Sequence, residues 1–330
     1  MVKNATMFEN VVGQEGPKKV LNFLVNSYQH TRFMPHLLLT SQQGDGKSLI
    51  ARETAKELVE FDEFGKVVIK ENGKPKKKKY HELNASAITS IRQFVTKFLV
   101  PNVVDKSCTV FIDEAHMFKK DVTNGLLTML NPNETKQTQF VYDDYSVDLD
   151  FRKQTFIFAT TETQSIFKPL MDRMKRVELD SYSHEDLAKI VCKGAPEVAF
   201  KDGVLEEIST VVRRNARHAI KMAEDIRIYL CGKTAFGAKN WKDLKGILSI
   251  NPLGLSNKEI DLLRFMAERP EGSSLTNLAA RSGLSAQAIQ KDYEFYLQNM
   301  GFMVISGGKG RQITPKGQEY LTKTLPSWGK

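Results

Sequence analysis

Cysteine is scarce in this sequence: Cys108, Cys192 and Cys231 are the only three in 330 residues, far apart and without the spacing of metal ligands. That excludes a disulfide framework and a thiolate zinc site and suits a reducing compartment, so a cytoplasmic location is expected. Long hydrophobic runs are also missing, so no transmembrane span and no membrane role are expected, and Met1-Val2-Lys3-Asn4-Ala5 shows no apolar signal region. No internal repeat stands out. What the chain has in excess is positive charge. Its 48 Lys and Arg against 39 Asp and Glu leave a formal charge of +9, which favours an acidic partner, nucleic acid first. The length accommodates two or three domains, each with its own core.

Two short stretches carry the chemistry. Ser41-Gln42-Gln43-Gly44-Asp45-Gly46-Lys47-Ser48 follows the apolar run Leu37-Leu38-Leu39 and precedes the helix-like Leu49-Ile50-Ala51-Arg52-Glu53-Thr54-Ala55. A strand, a glycine-rich turn and a Lys-Ser pair opening a helix form a phosphate-binding loop. The backbone N–H groups of such a turn, here from Gly44 and Gly46 to Lys47, Ser48 and Leu49, point at the phosphates, and the helix N-terminus adds its positive end. Lys47 is expected to reach the β- and γ-phosphates of ATP and Ser48 to ligate Mg²⁺. Ser41 stands where the usual pattern has its first glycine, a small departure provided its φ stays negative. The second stretch, Val110-Phe111-Ile112-Asp113-Glu114, reads as a buried strand ending in two acids. Asp113 is expected to hold the metal through water and Glu114 to polarise the attacking water.

The remaining pattern is α/β. Buried strands at 80–84, 109–113 and 155–161 alternate with helical stretches, predicting a parallel sheet with ligands at the carboxyl ends of its strands. Lys66-Val67-Val68-Ile69-Lys70, an Asn72-Gly73 turn signal and Lys74-Pro75-Lys76-Lys77-Lys78-Lys79 predict a projecting hairpin at 65–79 with a basic second arm. A second hairpin is expected at 139–142 and 146–151, turning at Asp143-Asp144. The sequence predicts an ATPase domain over 1–180, a helical lid without strands over 181–250, and a winged helix over 251–330. The last rests on three helical patterns followed by 302–305, a glycine turn at 307–310, and 311–314.

Taken together, the phosphate loop, the acidic strand, a strand ending in Thr160-Thr161, an Asp172-Arg173 pair and Arg217 follow the order of an AAA+ ATPase. Within that group the chain resembles the RuvB family, the motor of Holliday junction branch migration. The resemblance is carried by Val12-Gly13-Gln14-Glu15, Phe111-Ile112-Asp113-Glu114-Ala115-His116, Phe158-Ala159-Thr160-Thr161 and Pro169-Leu170-Met171-Asp172-Arg173. It continues through Leu253-Gly254-Leu255-Ser256, Tyr296-Leu297-Gln298-Asn299-Met300-Gly301-Phe302 and Gly310-Arg311. The resemblance implies an arginine finger at Arg173, acting on a neighbouring subunit's nucleotide, and a nucleotide-sensing lid arginine at Arg217. It implies a water-orienting hydroxyl at Thr161 or Thr160 and an adenine pocket lined by Val12 and Gly13. It also implies a homohexameric ring on double-stranded or branched DNA, with a junction-binding partner resembling RuvA.

For the DNA interface the resemblance points to Arg311 on the wing, beside Lys309 and Lys316. Lys76, Lys77 and Lys78 on the first hairpin read either as a DNA contact or as a solvated charge run. The helix at 286–297 carries Asp292 and Glu294 against Lys291, a poor surface for phosphates. Two alternatives stand beside the motor. Glu82-Leu83-Asn84-Ala85-Ser86 followed by a helix resembles sliding-clamp or helicase loaders, and a DNA-binding regulator could use nucleotide only as a switch.

Overall fold

The structure, a computed structural model, describes residues 7–131, 133–201 and 203–325. The chain divides into two compact units between Ser183 and His184.

The first unit is built on a sheet. Its strands and helices run α1 (Glu15–Thr31), β1 (Leu37–Thr40), α2 (Lys47–Glu57), β2 (Lys79–Asn84), α3 (91–102), β3 (Cys108–Asp113), α4 (Lys120–Met129), β4 (Gln137–Tyr142), β5 (Tyr145–Asp150), β6 (Gln154–Thr160), α5 (Lys168–Met171) and β7 (Lys175–Glu178). Five of these strands form a sheet in the order β2-β3-β6-β1-β7, each neighbouring pair parallel. β1 and β6 are buried along their whole length, as central parallel strands covered on both faces must be. Alternate residues feed two separate cores. Leu38, Val110, Ile112, Phe156 and Phe158 face α3, α4 and the β4–β5 hairpin. Leu37, Leu39, Phe111, Ile157 and Val177 face α1 and α2. On α1 the spacing of Leu21, Leu24, Val25 and Tyr28 makes the stripe that covers this second face. The strand expected at 80–84 lies at the sheet edge and is only half buried. The hairpin expected near 139–151 is present, pairing Tyr142 with Tyr145 across Asp143-Asp144.

The second unit begins with α6 (His184–Gly194), β8 (Ala199–Phe200), α7 (Val204–Val211), α8 (Ala216–Leu230), β9 (Ala235–Phe236) and α9 (Ala238–Ile247). The sequence predicts no strand here, yet β8 and β9 pair in parallel. They are two residues each, too short to leave a periodic signal, and fully buried Phe236 packs its ring edge on Phe200. Then come α10 (Asn257–Ala267), α11 (Leu275–Ser282), α12 (286–299), the antiparallel pair β10 (Met303–Ser306) and β11 (Gly310–Ile313), and α13 (315–324). Local chemistry starts each of these helices. Ser256, Ser274, Ser285 and Thr314 accept N–H groups of their own first turns, and Pro315 takes the first helical position after Thr314. A three-helix core with a glycine-turned hairpin is a winged helix. Among the described residues no helix is long and apolar enough to cross a membrane.

The basic segment at 58–79 is more than a hairpin. Three arms close on one another: the Glu60 N–H donates to Lys76 O, the Lys76 N–H to Val68 O, and the Val68 N–H to Glu60 O, at 2.8–2.9 Å. Tyr28 anchors the arms to α1, its hydroxyl on Val59 O and its ring against Phe61. This packing withdraws Lys78 from the expected DNA contacts and leaves Lys76 and Lys77 exposed on the surface. Lys78 is buried, with its ammonium 4.9 Å from the Tyr28 ring centre and donating to Arg152 O and Thr155 Oγ1. Burial pulls it down to about 8. Lys76 lies 2.8 Å from Glu60, and Lys77 lies 3.9 Å from Glu57. Of the run only Lys78 turns inward, toward the Tyr28 ring of α1 and the start of β6. Lys78→Ala should therefore cost about 2 kcal/mol and lower the thermal midpoint by roughly 4–8 °C, because the buried Thr155 hydroxyl and the Arg152 carbonyl lose their donor. Lys77→Ala should shift it by less than about 2 °C. Thermal unfolding followed by circular dichroism separates the two.

Candidate nucleotide site and wing

The loop between β1 and α2 has the shape that an anion needs. Gly44 and Gly46 sit at φ 90° and 89°, where a side chain is strained, and a Cβ on Gly46 would also press on the Tyr182 hydroxyl. Ser41, at the place of the missing glycine, is not among the residues with positive φ, so the departure is tolerated. Gly46 caps α2 without a side-chain hydrogen bond, and the first turn holds no acid, so the helix N-terminus is left to an anion. The Lys47 ammonium donates to Gln42 O at 3.0 Å and to Ser41 O and Oγ at 3.3 Å, poised inside the loop it would share with phosphate. Asp45 is the unusual member. Its buried carboxyl is pushed up to about 6 by desolvation, against the pull of Lys47 and hydrogen bonds from Gln42 and Ser41.

Strand order supplies the second half of the site. Because β6 lies between β1 and β3, its carboxyl end stands between the loop and the acids. Asp113 closes β3 and accepts the Glu114 N–H at 3.0 Å, while Glu114 itself turns to φ 51°. The Thr161 hydroxyl is 3.4 Å from Glu114 Oε2. Thr160, fully buried, is engaged elsewhere: its Oγ1 lies 3.0 Å from His116 Nδ1 and accepts the Glu162 N–H at 3.0 Å. His116 also lies 3.4 Å from Glu114 and 3.8 Å from Glu162. The geometry thus gives Thr161, rather than Thr160, to Glu114. A metal here would meet the Ser48 hydroxyl and the Asp113 carboxylate. Among the described residues no cluster of three or more His, Cys, Asp or Glu is available, which suits an ion that takes its other ligands from phosphate and water.

Two positioning residues escaped the sequence reading. Gln14 beside Val12 and Gly13 is buried, its amide donating to Asp180 O at 2.7 Å and accepting the Asp180 N–H at 2.8 Å. This two-bond clasp ties the 12–14 loop to the chain leaving β7. Tyr182 donates to Asp45 O at 3.2 Å and so braces the phosphate loop from that same chain. Only the polarity of Gln14 inside the quoted Val-Gly-Gln-Glu stretch hinted at the first, and no signal pointed to the second.

The two arginines are held in different local settings. Arg173 donates to Pro169 O at 2.6 Å and to Asn131 Oδ1 at 3.2 Å, so it completes no contact with Lys47, Asp113 or Glu114. Arg217 stands exposed in the first turn of α8, whose cap Asn215 accepts the Arg217 and His218 N–H groups.

On the wing, Lys309 is exposed at the turn, and exposed Lys316 donates to Met300 O at 2.8 Å. Arg311 is not presented as expected. Its guanidinium pairs with the buried Glu294 carboxylate of α12, Nε to Oε1 at 2.7 Å and Nη2 to Oε2 at 3.2 Å. The reason is register: Ser273 and Arg311 exchange backbone hydrogen bonds, which turns the side chain under the wing.

Comparison with known proteins agrees with this layout. Residues 37–182 match the model of the ATPase family associated with various cellular activities (AAA), and residues 252–322 match the RuvB C-terminal winged helix domain. The chain is 26% identical over 332 residues to the Holliday junction branch migration complex subunit RuvB of Thermotoga maritima, covering 96% of this chain and 91% of that one. It is 28% identical over 339 residues to RuvB of Orientia tsutsugamushi, covering 97% and 94%. The solved Thermotoga maritima RuvB Holliday junction branch migration motor shares the fold, with a TM-score of 0.71 at 23% identity over 94% of this chain and 95% of that one. With an AAA core, a RuvB-type winged helix and RuvB relatives aligned along nearly all of its length, this chain belongs to the RuvB family of AAA+ ATPases.

Proposed function

We propose that this protein is an ATP-driven translocase of double-stranded DNA that acts on branched junctions as a hexameric ring in the cytoplasm. The observation that carries the catalytic half is the Thr161–Glu114 contact at the end of β6, beside the phosphate loop. The three working parts are the ATPase region 1–180, the lid 181–250 and the winged helix 251–330. A RuvB-type winged helix at 252–322 counts against the loader reading, because loaders end in a helical collar.

Phosphoryl transfer needs positioning and charge stabilisation more than covalent chemistry. The N–H groups of Gly44, Gly46, Lys47, Ser48 and Leu49 and the Lys47 ammonium bind and orient the phosphates. Val12 and Gly13, held by the Gln14 clasp, line the adenine side. Ser48 and Asp113 would hold Mg²⁺, which when bound would neutralise phosphate charge. Glu114 orients the attacking water and takes its proton, with Thr161 fixing the carboxylate. Arg173 stabilises the transferring phosphoryl group across a subunit boundary, and this fits a guanidinium that its own protomer holds away from Glu114. Arg217 senses nucleotide from the lid. Lys309 and Lys316 meet DNA phosphates, while Arg311 stiffens the wing from beneath. A partner resembling RuvA would load the ring at a junction.

The direct test is ATP turnover with and without duplex DNA, together with strand release from a synthetic four-way junction. Turnover that rises several-fold with duplex and junctions that resolve only with ATP are expected; turnover indifferent to DNA contradicts the reading. Glu114→Gln should lower turnover by roughly 10²-fold or more while a fluorescent nucleotide still binds. Asp45→Asn addresses the odd carboxyl of the loop. Its raised value means that the ionised form costs stability, a cost that grows as pH rises from about 4, where the unfolded group ionises, through about 6. Above that range a negative charge also opposes phosphate. The variant should show a KM for ATP roughly threefold or more lower at pH 8, converging with the parent below pH 6.

A further inference from the structure

The second unit contains a junction that the ATPase motifs do not explain. Arg213 and Arg214, between α7 and α8, sit in the left-handed region at φ 55° and 52°. Facing them, Leu253 and Gly254 take φ 56° and 70°, and Gly254 approaches so closely that any Cβ would strike the Val211 carbonyl and the Arg213 side chain. Left-handed non-glycine residues persist only where the surroundings over-determine them. Here the determining partner is a buried carboxylate. Glu259, with no solvent exposure, pairs with the Arg213 guanidinium. Its Oε2 accepts the Ser256 N–H at 2.7 Å and the Ser256 hydroxyl at 2.9 Å, closing the capping box of α10. The Arg213 guanidinium also lies 3.8 Å over the Tyr296 ring of α12, and the Tyr296 hydroxyl donates to Leu253 O. One arginine of the lid region thus enters a socket built from three parts of the winged helix.

We propose that Arg213 is a positioning residue that locks the lid helices to the winged helix, so that the two move as one lever. The turn carrying Arg213 ends at Asn215, the cap of α8, and Arg217 stands in the first turn of that helix. A displacement sensed at Arg217 is therefore transmitted to α10 and α12 without a flexible joint between them. Planar stacking on Tyr296 combined with the ion pair requires a guanidinium, which a lysine does not replace. The inference rests on the reading of Arg217 as the nucleotide sensor and of the wing as the DNA-facing part.

The full-length protein tests it through Arg213→Lys, Arg213→Met and Glu259→Gln, each checked for folding by circular dichroism. The expected result is basal ATP turnover and duplex affinity within about twofold of the parent, with DNA stimulation of turnover and junction migration reduced about tenfold. The Arg213→Met/Glu259→Gln pair should be no worse than either change alone, because both break one contact. Folded variants that keep full DNA stimulation overturn the proposal. A second measurement stands apart from enzymatic activity. Spin labels at Glu224→Cys on α8 and Gln290→Cys on α12, with Cys192 and Cys231 replaced by serine, report the lid-to-winged-helix distance. One narrow distance, the same without nucleotide, with ADP and with a non-hydrolysable ATP analogue, is expected in the parent and a broadened one in Arg213→Lys. A parent distance that shifts with nucleotide overturns the lock. A parent whose turnover ignores DNA defeats the translocase reading alone, since the distances still decide the lock.

Discussion

The hydrogen-bonded register of three parallel strands is the constraint on which the nucleotide site depends. Buried backbone groups must be paired, so β1, β6 and β3 cannot slide against one another without orphaning a row of them. Leu38 pairs with Phe158, and Phe158 with Ile112, which sets Thr40, Thr160 and Asp113 at one edge. From that edge the phosphate loop, Thr161 and Glu114 need only one or two further residues to converge. Two cores, one on each face, hold the register because every strand residue is committed to one side or the other.

Buried ions are the second theme. Lys78, Glu259 and Glu294 are all withdrawn from water, and each is given a partner: backbone and hydroxyl oxygens with the Tyr28 ring, Arg213, and Arg311 respectively. Such pairs contribute little net stability compared with apolar packing, but breaking one strands a charge, so they specify geometry strongly. In this molecule they sit under the three-arm segment, beneath the wing, and where the turn before α8 meets α10. Asp45 shows the same physics at the loop itself, where burial outweighs the pull of Lys47, Gln42 and Ser41 and pushes the carboxyl up to about 6.

Lys78 and Arg311, both expected as DNA contacts, are turned away from solvent for one reason. Sequence reports that a residue is cationic but not whether a carboxylate or carbonyl waits for it. Glu60 and Glu57 lie well away in sequence from the lysines they neutralise, and Glu294 is on a helix whose composition already argued against phosphate contact. Glu294 draws Arg311 under the wing and Lys78 turns inward, while Lys76 and Lys77 stay on the surface beside Glu60 and Glu57.

The sequence by itself determined the local chemistry: a glycine-rich turn before Lys47-Ser48, an acidic strand end, and the alternation that makes an α/β sheet with a winged helix after it. These are legible because phosphate loops and strand burial depend on near neighbours in the chain. Tertiary structure alone decided which threonine contacts Glu114, that Gln14 and Tyr182 brace the nucleotide loop, that β8 pairs with β9, and that Arg213 finds Glu259. Each of those depends on contacts between residues far apart in the chain, and no local pattern encodes where a distant partner will be placed.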